Sequence, residues 1–390
     1  MFLDGTVDPA RAPRAAGPSA ARDLNTARVV DVVRRDGPIT QADLIRRSGL
    51  SRPTVGAIVR DLLHRQVVVE AGPDPSVRNG RPGSLLAFNP KCATVGVIRL
   101  LPKWMDLWIG DCEGRVLGHA RRRSPATTSQ RLDDLAGALT RSAVELDVPR
   151  PSSVAILLAG RADPVSGMCF GAALAARPVP LMELEQRLDT AVTVLNPTAA
   201  AALGVARTGR YADALVVFLD HGIGAGIVSG GRALTGGSGG AGELGHCRLP
   251  GVDRLCQCGA RGCLETVAAG WFLRERAREI IGSRSRIPRT LAGLERLGHP
   301  ELDGVLNSAA RQLGLGASWL VNSLDPRVVL LGGTPFAAGA GRFLETFADS
   351  VREHSFRDRG RELIIDFAEQ TADVDGAIQI ALDRLALHRH

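Results

Sequence analysis

The sequence contains no stretch that approaches the ~18 consecutive apolar residues of a membrane-spanning helix. Its first residues, Met1-Phe-Leu-Asp4, also lack the basic start and the apolar run of a secretory signal. These absences exclude a membrane span and predict a cytoplasmic protein. In that reducing compartment we expect Cys92, Cys112 and Cys169 to be reduced thiols in the core.

Lysine is nearly absent as well, so arginine carries almost all of the positive charge. The formal net charge is +7, from 48 basic and 41 acidic residues. Such a bias can reflect coding composition alone, and basicity by itself is weak support for nucleic-acid binding. A chain of 390 residues is long enough for two or three domains, each with its own core.

The most specific chemistry of the chain lies between residues 243 and 265. Four candidate soft metal ligands fall within eighteen residues there, namely His246, Cys256, Cys258 and Cys263. Imidazole and thiolates at this density suit tetrahedral Zn²⁺, and Gly259 and Gly262 allow the tight turns that bring the cysteines together. Four protein ligands leave no position for water, so the pattern predicts a structural zinc ion. Cys247 is an alternative ligand, and a cluster of free thiols is the other interpretation.

The same segment resembles the signature of the ROK family, which groups bacterial sugar kinases with repressors built on the same fold. The matching residues are Glu243-Leu-Gly-His246 and, after a gap, Cys256-Gln-Cys258-Gly-Ala-Arg-Gly-Cys263-Leu-Glu265. The resemblance implies that His246 and the three cysteines hold zinc. It also implies that Glu243, Glu265 and the second ring nitrogen of His246 contact sugar hydroxyls. Zinc on one nitrogen fixes the ring so that the other can donate to a ligand.

The first 89 residues show two patterns. Residues 1–24 are rich in Ala, Arg and Pro without apolar periodicity, so we expect a disordered leader, with a DNA-contacting basic arm as the alternative. Residues 25–89 begin with three short helical segments. The first ends at Asp36-Gly-Pro38, the second is capped by Thr40 and ends at Gly49, and the third is capped by Ser51. Two helices joined by a glycine-containing turn are typical of a helix-turn-helix.

Two predicted strands, Val67–Glu70 and Ser84–Phe88, follow the third helix and enclose a loop rich in Gly, Pro and Asn. They complete a winged helix-turn-helix DNA-binding domain. The first turn of the recognition helix meets base edges in such a domain. We therefore expect Ser51, Arg52 and Thr54 to contact a double-stranded DNA operator, with Arg52 and Thr54 reading the bases.

Other arginines of this domain are candidates for backbone contacts. Arg60, with Arg46 and Arg47, is expected at phosphates, although charges on exposed helix faces are often merely solvated. Arg78 and Arg81 suit the DNA backbone or a narrow minor groove. Residues 1–90 hold thirteen arginines against nine acids, a balance of +4, so the excess charge is concentrated here. ROK repressors carry such a module in this place.

Residues 92–390 begin with antiparallel strand patterns and continue with alternating helices and strands. This order resembles the two-lobed, actin-like (ribonuclease H-like) α/β fold of the sugar kinases. We expect a first lobe over about residues 92–198, completed by the C-terminal helix, and a second lobe over about 199–375. Where ROK kinases have a glycine-rich phosphate loop, this chain has Ile98–Pro102, without a glycine or a carboxylate. Leucine side chains shield that backbone from phosphates, and nothing there organises Mg²⁺.

The junction at Asn196 departs from the kinases in a second way. In the family it carries Asn-Asp, and the aspartate takes the proton from the attacking sugar hydroxyl. Here Pro197 stands in its place, while Asn196 is kept as a candidate sugar contact. The segment Ala173–Ala176 lacks the family's sugar-binding asparagine, and Asp220, in the second phosphate-loop position, would repel a phosphate.

These losses remove catalytic groups and retain the zinc ligands with the two glutamates. They predict a regulator, not an enzyme, that represses transcription and senses a carbohydrate or a derivative. Two alternatives stay open, an ATP-dependent sugar kinase and a regulator controlled by a protein partner or by no effector. Because an operator offers two half-sites, we expect a homodimer or homotetramer.

Overall fold

The structure is a computed structural model that describes residues 18–73, 84–101, 103–123, 128–163, 166–170, 177–282, 286–333, 339–356 and 363–387. The chain divides into two compact units, Met1–Cys92 and Ala93–His390. No helix within the described ranges is long and apolar enough to cross a membrane.

The first unit is a winged helix-turn-helix. Its elements are α1 Pro18–Asp36, β1 Ile39–Thr40, α2 Gln41–Ser48, α3 Arg52–His64, β2 Val68–Pro73 and β3 Ser84–Phe88. The strands pair antiparallel in the order β1-β3-β2. The sequence pattern does not predict β1, because a strand of two residues is too short to show an alternation.

Helix α1 begins at Pro18, so the predicted leader of residues 1–24 is wrong for residues 18–24, which are helical. Residues 1–17 lie outside the described residues. The error has a physical reason: Leu24 is the one large apolar side chain among residues 18–24 and is 73% exposed, so the sequence shows no apolar periodicity there. Val29 is the first buried residue of α1 among those whose side chains the structure describes.

Side-chain caps fix the helix ends of this unit, as predicted. The Thr40 hydroxyl accepts a hydrogen bond from the Asp43 N–H at 3.1 Å, and Gly49 ends α2 with a φ of 67°. The Ser51 hydroxyl accepts from the Thr54 N–H at 3.4 Å at the start of α3. Each bond satisfies a donor that has no partner inside the helix. The helices and the sheet share one core. Its fully buried members include Val29, Leu44, Val55, Leu62 and Val68.

The second unit contains two five-stranded sheets. The elements that build its first sheet and cover it are β4 Thr94–Leu100, β5 Trp104–Asp111, β6 Val116–Arg123, α4 Thr128–Glu145, β7 Ser153–Leu158, β8 Arg161–Ala162, β9 Met168–Phe170, β10 Val179–Pro180, α5 Leu181–Leu188, β11 Ala191–Leu195 and α6 Pro197–Arg207. The strand order is β11-β7-β4-β5-β6, parallel from β11 to β4 and antiparallel from β4 to β6. Every residue of β4 and β7 is buried, as expected for strands covered on both faces.

The second sheet has the strand order β14-β13-β12-β15-β16. The remaining elements are β12 Ala214–Leu219, β13 Ile223–Ser229, β14 Arg232–Leu234, α7 Glu265–Ala268, α8 Gly270–Ile281, α9 Leu291–Glu295, α10 Pro300–Leu324, β15 Val328–Gly332, α11 Gly341–His354, β16 Ile364–Phe367 and α12 Ala372–Leu387. The largest core of the chain lies between this sheet and α8, α10 and α11. Helix α12 returns to the first sheet, where it packs on β4, β7 and α6.

Helices α6 and α12 cross in backbone contact. A Cβ on Gly376 would lie 1.8 Å from the carbonyl oxygen of Ala200, and one on Gly204 would lie 2.2 Å from that of Ala372. No side chain fits at either position without separating the helices. The C-terminal helix is therefore held against the helix that starts at Pro197.

A buried ion pair also ties α12 to β4. Arg99 Nη2 lies 2.5 Å from Asp373 Oδ2, and the two side chains are 9% and 1% exposed. Burial raises the pKa of Asp373, and the nearby Arg99 guanidinium opposes that rise. Residues 98–100 are the last residues of β4, so the segment expected at the position of the kinase phosphate loop begins inside a buried strand.

The three cysteines outside the metal-ligand segment form no disulfide within the part of the chain that the structure describes. Cys169 is buried in the core of the first lobe, as predicted. The prediction of core thiols is wrong for Cys92 and Cys112, which are only partly buried. Cys92 packs at the margin of the winged-helix core, where its exposure reflects the end of that unit.

Candidate metal centre and ligand site

Four side chains of the second unit converge on one point. A ring nitrogen of His246 and the Sγ atoms of Cys256, Cys258 and Cys263 all lie within 4.8 Å of one another. Cys256 Sγ is 3.7 Å from His246 Nδ1, and Cys258 Sγ is 3.7 Å from Cys263 Sγ. A tetrahedral ion with Zn–S bonds of ~2.3 Å would hold two sulfurs ~3.8 Å apart. The donor set and its spacing therefore fit a metal ion.

Two glycines shape the backbone of this cluster. Gly259 and Gly262 have φ angles of 89° and 84°, which residues with a Cβ rarely adopt. The turn that contains Gly259 is closed by a hydrogen bond from the Cys256 N–H to the Ala260 carbonyl oxygen at 2.8 Å. The glycine-permitted turns bring the cysteines together as the spacing predicts.

The thiols of the cluster differ in acidity. The backbone N–H of Ala260 has the largest effect on Cys258 and lowers its pKa. Burial, followed by the neighbouring thiols, raises the pKa of Cys263 to about 12. A bound cation stabilises thiolate and would override such differences. Cys247, the alternative ligand, is not part of the cluster: it packs against the main core, and burial raises its pKa.

The second ring nitrogen of His246 faces a carboxylate. His246 Nε2 lies 3.9 Å from Glu243 Oε2, whereas Nδ1 is the nitrogen beside Cys256. The imidazole and carboxylate are 37% and 51% exposed, so a solute can reach both. One ring nitrogen of His246 thus faces the metal-ligand cluster, and the other faces a polar site that solvent can reach.

Glu265, at the start of α7, is a second carboxylate next to this segment, because it packs against Gly245, which lies between Glu243 and His246 in the chain. Its Oε1 accepts a hydrogen bond from the Ile223 N–H at 2.8 Å. Gly222 and Gly245 make room for it, because a Cβ on Gly222 would lie 2.4 Å from Oε1 and one on Gly245 2.6 Å from the Glu265 Cγ. The backbone fixes one oxygen, and Oε2 has no hydrogen-bond partner in the described part of the chain.

Asn196 caps helix α6. Its Oδ1 accepts from the Ala199 N–H at 2.6 Å and from the Thr198 hydroxyl at 2.7 Å. Pro197 occupies the first helical position, where its missing N–H costs nothing. The side-chain oxygen of Asn196 therefore serves the helix, and its amide N–H groups make no hydrogen bond among the described residues.

Two contacts that arrange this site have no direct signal in the sequence. Glu265 and Ile223 are 42 residues apart, and a Cβ on Gly224 would lie 2.7 Å from the Thr198 Cγ2. Together they place the starts of α6 and α7 next to the start of β13. The sequence gives one indication of these contacts, the glycine-rich turn before β13, but close backbone packing in a hairpin would explain that turn equally well. Residues 173–176, predicted to lack a sugar contact, lie outside the described residues.

The predicted base-reading residues lie at the start of α3, in the first unit. Ser51 and Arg52 are exposed, and Thr54 is half-buried with its hydroxyl 2.8 Å from that of Ser51. Arg60 is exposed on the same helix. The wing residues Arg78 and Arg81 lie outside the described residues.

These observations define the class of protein. Residues 22–68 match the winged helix-turn-helix DNA-binding family. A DNA-binding domain joined to a two-lobed α/β domain with an accessible polar site makes this chain a DNA-binding transcriptional regulator. Residues 104–384 match the ROK family, and the chain belongs to that family.

Individual relatives agree in fold. The N-acetylglucosamine repressor of Escherichia coli O6:H1 is 26% identical over 328 residues, which cover 80% of each chain. The crystal structure of a ROK family transcriptional regulator, a homologue of the E. coli Mlc protein, is 24% identical with a TM-score of 0.70 and covers 95% of this chain and 98% of that one. The ROK hexokinase of Thermus thermophilus is 28% identical with a TM-score of 0.62 and covers 75% of this chain and 99% of that one. The predicted fold, a winged helix-turn-helix followed by a sugar-kinase-like domain, is confirmed.

Proposed function

We propose that this regulator is a repressor whose kinase-like domain senses a carbohydrate or a carbohydrate derivative. The observation that carries the proposal is the exposed pair of Glu243 and His246, with Glu265 packed against Gly245 between them and Asn196 at the start of α6. The name of its relative, an N-acetylglucosamine repressor, supports both parts of the proposal. If the protein has two conformations that differ in DNA affinity, a ligand that binds one of them more tightly shifts the population towards it and changes DNA binding.

The proposed ligand-binding side chains suit a molecule with several hydroxyl groups. The two carboxylates accept hydrogen bonds, whereas the His246 ring and the Asn196 amide donate them. A hydroxyl group can act in both ways, so a polyol satisfies all four side chains at once. An anionic group at this end of the ligand would meet two carboxylates and be repelled.

In the same proposal a structural Zn²⁺ is held by four protein ligands, His246, Cys256, Cys258 and Cys263. When bound, the metal supplies folding free energy and holds the imidazole ring in place. With four protein ligands no coordination position is open to water, so the metal has no role in activating a nucleophile.

Phosphoryl transfer is not part of the proposed function. A general base contributes ~10²–10⁴ in rate, and Pro197 has no carboxylate to act as one. At the position of the kinase phosphate loop, Arg99 is engaged in a buried ion pair with Asp373. The alternative, an ATP-dependent sugar kinase, predicts that ADP accumulates with some sugar, which a coupled ADP assay measures.

We further propose a homodimer or homotetramer as the DNA-binding form. A duplex operator with two half-sites is read by two modules related by symmetry. Light scattering of the purified protein, with and without duplex DNA, tests this assignment; a monomer in both samples would contradict it.

The sensing proposal is tested by a thermal-shift screen against neutral sugars, amino sugars and sugar phosphates, with N-acetylglucosamine included. A ligand at a hundred times its dissociation constant adds ~2.7 kcal/mol to the free energy of unfolding, which raises the melting temperature by several degrees. We expect Glu243→Ala and Glu265→Gln to abolish that rise. Asp253→Ala is the matched control, since Asp253 is an exposed acid of the same segment outside the proposed ligand set.

The outcome also decides between the remaining interpretations. A sugar that stabilises the protein should change its affinity for duplex DNA in a titration, and it should do so without ATP consumption. No shift with any compound of a broad panel would refute sensing and favour a regulator controlled by a protein partner or by no effector.

A further inference from the structure

The arginines of the winged helix-turn-helix fall into two groups. One group is held by acids of the same unit. Arg46 pairs with Asp43, and Arg47 Nη1 lies 2.9 Å from Asp36 Oδ2. Arg35 and Arg65 pair likewise with Asp36 and Asp61, at 3.2 Å and 3.3 Å. Hydrogen bonds from Arg35 and then Arg47 lower the pKa of Asp36, which keeps that carboxylate ionised and its partners neutralised.

The second group has no ion pair among the described residues, and its members are exposed. They are Arg22, Arg28, Arg34, Arg52 and Arg60, of which Arg34 lies over the Phe88 ring. Arg52 and Arg60 lie on the recognition helix, α3. Arg28 lies on α1, and nothing in its own sequence neighbourhood suggests a role. Its position in the fold does suggest a role: Arg28 Nη2 lies 3.5 Å from the place that a Cβ would take on Gly49.

Gly49 is the end of α2 and the beginning of the turn between the two helices of the helix-turn-helix. The turn brings the chain within three residues to Arg52, a distance of at most ~11 Å between α-carbons. The Arg28 guanidinium therefore lies beside the turn that leads into α3, at most ~16 Å from the α-carbon of Arg52. An unpaired cation from α1 extends the positive charge at the end of α3 that enters the groove.

We propose that Arg28 contacts a DNA phosphate next to the recognition helix, and that Arg46 and Arg47 do not. The inference rests on the DNA-binding function proposed above. An unpaired arginine that neutralises a phosphate releases a condensed counterion, whereas an arginine already neutralised by a carboxylate adds little to the local potential. The expectation that Arg46 and Arg47 meet phosphates is thereby replaced.

The test uses the full chain and a fluorescent random-sequence 30-bp duplex, because the phosphate contribution does not depend on sequence. Affinity is measured by anisotropy from about 50 to 200 mM salt. We expect Arg28→Ala to reduce the slope of log affinity against log salt by ~0.9 and to weaken binding ~8-fold at 0.1 M salt. Arg28→Lys should retain the slope, because it keeps the charge. Arg46→Ala, which changes the net charge equally, should retain both the slope and, within about twofold, the affinity.

The outcomes separate this inference from the function on which it rests. If the unmodified protein fails to bind the duplex at any salt concentration, the DNA-binding function itself is refuted. If it binds and Arg28→Ala behaves like Arg46→Ala, the assignment of Arg28 is overturned. Thermal melts of each variant check the fold; Arg28→Gln, which keeps the polar stem, takes the place of Arg28→Ala if the latter melts early.

Discussion

Gly376 of helix α12 lies against the backbone of α6, and replacing it with alanine tests the contact that joins the two helices. The new Cβ would lie 1.8 Å from the Ala200 carbonyl oxygen and 2.7 Å from the Gly204 nitrogen. A carbon normally approaches a carbonyl oxygen to about 3.3 Å, so the helices must separate by about 1.5 Å. Both groups in the clash are backbone, so no change of rotamer can relieve it.

Two opposing effects set the magnitude. Overpacking costs about 1–3 kcal/mol, and the gap opened around it forfeits part of the dispersion energy of the crossing. In the other direction, alanine is favoured over glycine inside a helix by ~1 kcal/mol. Because the obstruction is rigid, we expect the clash to prevail. The free energy of unfolding should fall by about 2 kcal/mol for Gly376→Ala.

Gly304→Ala is the matched control. Gly304 is the fifth residue of α10, as Gly376 is of α12, and a Cβ there would meet nothing within 4 Å. Its helix propensity gain is unopposed, so the free energy of unfolding should rise by about 0.5–1 kcal/mol. The same Gly→Ala substitution should thus lower the free energy of unfolding at residue 376 and raise it at residue 304.

Thermal unfolding followed by circular dichroism measures both variants. At about 2–4 °C per kcal/mol for a large domain, Gly376→Ala should melt roughly 4–8 °C lower and Gly304→Ala about 1–4 °C higher than the unmodified chain. A rise for Gly376→Ala that matches the control would refute the close crossing of α6 and α12.

Three further predictions follow from single side chains. Cys263→Ser should lose bound zinc while Cys247→Ser retains it, which elemental analysis of protein prepared with zinc determines; equal metal content would contradict the four-ligand assignment. Asn196→Ala should lower the free energy of unfolding by ~1 kcal/mol in a urea titration, whereas Asn196→Asp, which keeps the cap, should not. Burial raises the pKa of Cys169 to about 11, above the ~8.5 of an unfolded chain. Its contribution to stability is therefore full below ~8.5 and is lost as the pH rises towards 11; Cys169→Ala should remove that part of the alkaline decline in urea midpoint.

The features that the sequence predicts well depend on residues close together in the chain. The caps at Thr40 and Ser51 act over three residues, and the metal-ligand cluster spans eighteen. Their geometry follows from local turns and hydrogen bonds, which residue type largely determines.

The features that escape prediction join distant segments. The Arg99–Asp373 pair connects residues 274 apart, and the Glu265 carboxylate at the start of α7 accepts a hydrogen bond from Ile223 at the start of β13. Arg28 illustrates the same limit, because only the packing of α1 on the helix-turn-helix brings its guanidinium to Gly49. Such partners are selected by the tertiary fold, and residue type leaves many candidates for each.

The single imidazole of His246 constrains how this chain can adapt to a new ligand. Its Nδ1 faces the thiols and its Nε2 faces Glu243, so a substitution at this position alters two sites together. A cysteine at residue 246 would preserve four soft metal ligands but lose the ring N–H donor. A glutamine would keep an N–H donor but lose the metal ligand. Divergence of ligand preference must therefore proceed through neighbouring positions such as Glu243, while residue 246 stays under double constraint.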